Sequence, residues 1–143
     1  MAAAPSSRKE LTHDRILDVA ARAIRRAGYD GVGLATIMKE AGLTHGGFYA
    51  HFASRDALLA EATKRAGHET GTLLLERLRQ AQAQGMSPFS ALVETYLADA
   101  QLDNTECGCV VAALASEIPR QAEDVASAAR ARVLGLVELV RRT

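Results

Sequence analysis

Tryptophan is absent from this chain of 143 residues, and phenylalanine and tyrosine supply three residues each. Pleated sheets pack best with aromatic and β-branched side chains, so this alanine-rich, aromatic-poor composition argues against a β-sandwich and for packed helices. Cysteine is scarce as well. Cys107 and Cys109, one residue apart, make no disulfide framework and agree with a reducing compartment. No apolar run is long enough to cross a bilayer, so no membrane partner is expected. Met1–Ser7 has no basic flank followed by an apolar stretch, so no secretory leader is expected and the expected location is cytoplasmic. Neither sign of charge is in excess, with 17 basic and 17 acidic side chains.

What the chain does have is 48% hydrophobic residues, enough for a core and too many for wholesale disorder. Its charge is also unevenly spread. Residues 1–66 hold ten basic and seven acidic side chains, and the remainder holds seven and ten. A mildly basic N-terminal half is consistent with a surface that meets phosphate.

Residues 1–10 read as a flexible arm, with Arg8 and Lys9 as a solvated tail. Helical spacing of Ile16, Leu17, Ala20, Ala23, Ile24 and Ala27 predicts a helix from about Thr12, its N-cap, to Ala27, stopped at Gly28. Arg22, Arg25 and Arg26 read as its solvated face. Two short helices follow, Leu34–Ala41 and His45–Phe52, joined at Gly42. Ser54 caps a long helix reaching about Ala83, and Ser87–Pro88 opens another carrying Phe89, Leu92, Val93, Tyr96 and Leu97. After a break at 103–108, a helix is expected from about Cys109 to Ile118, then a last one from about Gln121. No stretch alternates with period two for long, so the chain reads as all-α.

The paired short helices form a helix-turn-helix candidate. The second opens with Thr44-His45-Gly46-Gly47, although each glycine costs about 1 kcal/mol against alanine inside a helix. Close approach to a phosphate backbone or to base edges is a physical reason to accept that cost. Tyr49 and His51 lie on the same segment, and Phe48 and Phe52 are its candidate anchors. Nothing comparable points to catalysis. There is no pair of carboxylates at a defined spacing, no glycine-rich phosphate loop and no complete metal set, so no enzyme, cofactor or metal is expected.

Residues His13–Ala66 resemble the DNA-binding domain of TetR/AcrR-type transcriptional regulators. The likeness rests on Ile16-Leu17 with Ala20 and Ala21, on Gly28-Tyr29, and on Ile37. It is most specific in Ala41-Gly42-Leu43-Thr44, Phe48-Tyr49-Ala50-His51-Phe52 and Ser54-Arg55-Asp56-Ala57-Leu58-Leu59. The resemblance implies an N-terminal three-helix helix-turn-helix DNA-binding domain at 11–55. A helical-bundle ligand-binding and dimerisation domain would follow at 56–143, apparently C-terminally short. It implies a repressor that binds a palindromic operator on double-stranded DNA as a homodimer and is released by a small-molecule effector. Thr44 would cap the recognition helix and bond a phosphate. His45, Gly46 and Gly47 would face base edges, while Tyr49, His51 and Arg55 would contact phosphate. Gly33, Met38 and Gly47 depart from the family's usual Thr or Ser, Ala, and Thr or Ser.

Bundle cores host small-molecule sites, and Met86, Phe89, Tyr96, Cys107, Cys109 and Leu114 are the candidate lining residues. Two other readings stay open: a redox- or electrophile-sensing regulator acting through Cys107 and Cys109, and a helical interaction module without DNA binding. Val133, Leu134, Val137, Leu139 and Val140 make the terminal helix apolar enough to need a partner.

Overall fold

The computed structural model describes residues 7–143, and every regular element among them is helical. Seven α-helices run α1 Arg8–Ala27, α2 Leu34–Glu40, α3 Arg55–Ala83, α4 Pro88–Tyr96, α5 Asp99–Asp103, α6 Val110–Leu114 and α7 Glu123–Arg141. Two 3-10 turns, His45–Ala50 and Ile118–Arg120, complete the set.

α1 begins four residues earlier than the apolar spacing predicts. Ser7 is its N-cap: the Ser7 hydroxyl accepts the Glu10 N–H at 3.2 Å, and the Glu10 carboxylate accepts the Ser7 N–H at 2.6 Å. This reciprocal box satisfies two donors at the helix start and draws Arg8, Lys9 and Glu10 out of the expected arm into the first turn. Thr12 is therefore interior, and its hydroxyl donates back to the Arg8 carbonyl. The part of the expected arm at 1–6 lies outside the described residues.

α3 is the axis of the molecule. Its first half packs Leu58, Leu59, Ala62 and Ala66 against Ile16, Ala20 and Ile24 of α1 and Ile37 of α2 in one core. The same core takes in Val110 and Leu114 of α6 and Val125 and Ala128 of α7, so packing is continuous across the expected boundary at residue 55. A second, smaller core gathers Leu74 and Leu78 of α3 with Ala91 and Leu92 of α4.

Polar ties between α1 and α3 reinforce the apolar contact. Arg65 reaches Asp14 and Asp18, each at 2.6 Å, and His13 meets Glu61 at 3.0 Å. Arg25 was expected on a solvated face, but it is buried. Its Nε donates to the Ala21 carbonyl, and one Nη donates to Glu69 at 2.8 Å. A guanidinium in that setting is tolerable only with partners, which helical periodicity alone does not reveal. Arg26 bridges Glu40 of α2 and Glu106 of the 104–109 loop, both of which hold its pKa above the usual arginine value. Arg22 is exposed, as expected.

The corner after α1 joins the two halves. Gly28 ends the helix at φ +77°, and any Cβ there would sit 2.2 Å from a Glu117 oxygen. That space lets the Glu117 carboxylate accept the N–H groups of Tyr29 (2.9 Å) and Asp30 (3.4 Å). The buried Tyr29 hydroxyl pairs with Thr63 of α3 at 2.8 Å.

Candidate nucleic-acid interface

α2 ends in paired bonds characteristic of a glycine stop. The Leu43 N–H donates to the Met38 carbonyl at 2.8 Å and the Gly42 N–H to the Lys39 carbonyl at 3.0 Å, with Gly42 at φ +73°. The chain turns there and enters the recognition segment. Gly33, at the start of α2, caps without a side-chain bond among the described residues.

The recognition segment is a 3-10 turn over His45–Ala50, not the α-helix to Phe52 that its sequence suggests. Two adjacent glycines give little support to a longer helix, and the tighter i→i+3 pattern closes over so few residues. Its bonds run from Gly47 N–H to the Thr44 carbonyl at 3.1 Å and from His51 N–H to the Phe48 carbonyl at 2.9 Å. Thr44 holds the capping position by its backbone only. Among the described residues its hydroxyl makes no capping bond, which corrects the expected side-chain cap, and the residue is exposed.

Phe48 is fully buried and Phe52 nearly so, with ring centroids 5.7 Å apart. These anchors fix the opposite side outward. Tyr49, 71% exposed, stands edge-on to Phe48 beside the exposed Thr44, His45 and Gly46. A Cβ at Gly46 would meet nothing within 4 Å among the described residues, and one at Gly47 would make only ordinary contact at 3.8–3.9 Å. Neither glycine has a positive φ. No steric reason inside the described structure therefore requires glycine at either position.

His51 lies half-buried at the end of the segment, 6.3 Å from the His13 ring, which itself stacks on Phe52. Burial first, then the nearby charges of His13 and Lys9, lower its pKa below the usual histidine value. Its Nδ1 is buried without a partner among the described residues. Arg55, expected to grip phosphate, is turned inward. One Nη donates to the carbonyls of Tyr29 (2.6 Å) and Val32 (3.3 Å), tying the start of α3 to the corner after α1.

The candidate effector residues divide. Tyr96 and Cys109 line a cavity of about 340 Å³ between α3, α4, α6 and α7. Burial, then the adjacent Cys109 thiol, push the Tyr96 hydroxyl up to about 12. The other four lie elsewhere. Met86 packs on the second core, Leu114 is sealed in the first, and Phe89 and Cys107 face solvent. Long apolar side chains in a bundle satisfy core and cavity alike, so type alone could not sort them. Sequence reasoning missed Gly67, Gly71, Gly135 and Arg132, which share the cavity wall. Glycines four apart inside the 29-residue α3 were the available signal, since nothing in a plain packing helix favours them.

A tight helix–turn–helix with an aromatic-anchored, outward-facing second element defines this class of nucleic-acid-binding fold. Residues 16–62 match the model for bacterial regulatory proteins of the tetR family. It is 37% identical over 83 residues to the HTH-type transcriptional regulator AcrR of Shigella flexneri, a match covering 58% of this chain and 37% of that relative. The chain thus spans well under half the length of this curated relative. A TetR-family transcriptional regulator from Agrobacterium tumefaciens superimposes with a TM-score of 0.75 at 27% identity, covering 94% of this chain and 72% of that one. The reduced form of NemR from E. coli has the same fold, with a TM-score of 0.71 at 24% identity over 90% of this chain and 66% of its own. No helix among the described residues is long and apolar enough to cross a membrane.

Proposed function

We propose that this chain is a cytoplasmic transcriptional repressor that binds a palindromic operator as a homodimer and is released by a small molecule. The observation that carries the reading is the recognition segment. Phe48 and Phe52 bury its inner side, while His45, Gly46, Gly47 and Tyr49 present a small, polar outer side for which the fold has no internal use. Such a surface suits the major groove, where an element must come close to read base edges. In this reading His45 reads a base, Gly46 and Gly47 allow the approach, and Thr44, Tyr49 and His51 hold phosphate. Arg55 acts chiefly by positioning the corner that supports them, and its remaining N–H groups add charge near the backbone.

Release requires an effector that binds one arrangement of the molecule better than the other. Two contacts make α6 a suitable relay. Val110 and Val111 line the cavity, and Val110 packs in the same core as α1. Glu117, just beyond α6, holds the backbone of Tyr29 at the end of α1. The exposed Leu134, Val137 and Val140 on α7 supply an apolar surface for a second copy. Cys109 also favours a second route: a thiol-reactive effector entering the cavity would meet Cys109, whereas Cys107 faces solvent.

Fluorescence anisotropy against duplex DNA flanking the gene tests the main reading. Saturable binding that weakens steeply with salt supports it, and absence of such binding refutes it. Loss of oxidant response in Cys109→Ser but not Cys107→Ser would select the thiol route.

A further inference from the structure

The cavity is mostly apolar, bounded by Leu74, Leu75, Val110, Leu136 and Leu139, and lies within the size range of small-molecule sites. Its polar groups are mostly spoken for. The Thr70 hydroxyl has the Ala66 and Gly108 carbonyls within reach at 2.8 and 3.2 Å, and its one proton is taken up by them. Arg142 and Glu138 pair with each other at 2.8 Å.

Arg132 differs from these. It lines the same wall, yet among the described residues it has no carboxylate partner, and its Nε is buried without any hydrogen bond. A guanidinium N–H buried without a partner beside an apolar space is a costly arrangement unless something satisfies it. The backbone of α3 is shaped to admit it. A Cβ on Gly67 would stand 2.0 Å from Arg132 Cδ and 2.8 Å from Cγ, so glycine is what lets the arginine stem cross α3. One turn further, Gly71 leaves open space where any side chain would intrude.

We propose that the cavity binds an apolar small molecule bearing a single carboxylate, with Arg132 as the counter-ion. This inference rests on the effector reading above and names its ligand class. The apolar body would occupy the space left by Gly71, and the carboxylate would take the planar, two-pronged pairing that a guanidinium offers.

Isothermal titration of the full chain with octanoate, 1-octanol and octylamine, all at monomeric concentrations and without DNA, tests it. Octanoate binds at least tenfold more tightly than 1-octanol, and octylamine binds most weakly. Arg132→Gln brings octanoate down to the level of 1-octanol, Arg132→Lys keeps part of the preference, and Gly71→Leu removes binding of both. Thermal melts of each variant establish that it is folded. Equal affinity for octanoate and 1-octanol, no octanoate binding, or a preference that survives in a folded Arg132→Gln variant overturns the proposal. A chain that binds octanoate but never binds duplex DNA keeps this proposal and loses the regulatory reading. The converse result keeps the regulatory reading and loses this one.

Discussion

The helix-turn-helix head and the distal half of the bundle are built to different standards. In the head, Ile16, Ile24, Tyr29, Ile37, Phe48 and Leu58 are almost wholly buried, and charged pairs tie α1 to α3 along their length. The distal half buries only Leu74, Leu78, Ala91 and Leu92 in its own core, keeps a cavity, and leaves Leu97, Leu102 and Leu134 two-thirds exposed or more. The head is closely packed, with most of its spare chemistry on its outer surface and one buried atom, His51 Nδ1, left without a partner among the described residues. The distal half has its own such group within, the Arg132 Nε buried without a partner among the described residues, and glycines where a helix would prefer other residues. Incompleteness on an exterior suits a large, flat partner such as a duplex, whereas incompleteness inside suits a small one.

The sharpest test of that contrast is core truncation. Phe48→Ala should cost about 3–5 kcal/mol, whereas Leu92→Ala, beside looser packing, should fall near the lower limit of about 2 kcal/mol. Denaturant titration of both variants checks this, and equal losses would break the distinction. Next in size is the joint between the halves. Glu117→Ala strips the charged acceptor from the Tyr29 N–H and should cost about 2 kcal/mol, again by denaturation. Gly46→Ala should move two readouts in opposite directions. Stability should rise by up to about 1 kcal/mol, because helical turns prefer alanine, while duplex affinity measured by anisotropy falls. A gain in both would show that the glycine serves no approach to DNA.

Smaller effects refine the head alone. Tyr49→Phe should leave melting unchanged and weaken duplex binding by about 1 kcal/mol, evenly across sequences, as loss of a phosphate contact does. A sequence-dependent loss would reassign Tyr49 to base reading. His51 gives the least effect. Its folded pKa is lowered, so below pH 6.5 the unfolded chain takes up the proton more readily. Stability should therefore decline as pH falls from about 6.5 toward 5 and show no such change above pH 7. His51→Gln should flatten that decline in pH-dependent melts.

Much of the head could be read from its residues, because its signals are local. Ser54 and Ser87 each accept the N–H three residues on, as their position before a helical run suggests. The stop at Gly42 and the buried pair Phe48 and Phe52 also follow from spacing. Where the reading failed, the cause was distant partners or a missed local cue. Ser7 and Glu10 stand at capping-box spacing, but the small residues before them drew attention to a loose arm. The burial of Arg25 depends on Glu69 and Thr70, and the inward turn of Arg55 depends on the carbonyls of Tyr29 and Val32. Neither set of partners is adjacent in the chain. The cavity was the least legible part, since its wall draws on four helices and its defining residues are chiefly those without side chains.

One element belongs to both regions. α3 has 29 residues, so it forms a shaft about 44 Å long at 1.5 Å per residue. Its first turn carries the tie from Arg55 to the corner beneath the recognition segment, and its middle forms a cavity wall. Pivoting such a shaft by 5° about its middle carries its first turn, about 24 Å away, through about 2 Å, on the same rise per residue. That is a sizeable error against the spacing of roughly 34 Å that separates successive half-sites on one side of a duplex. In the proposed reading, a small guest lodged at that middle would displace the head by more than it displaces the cavity wall.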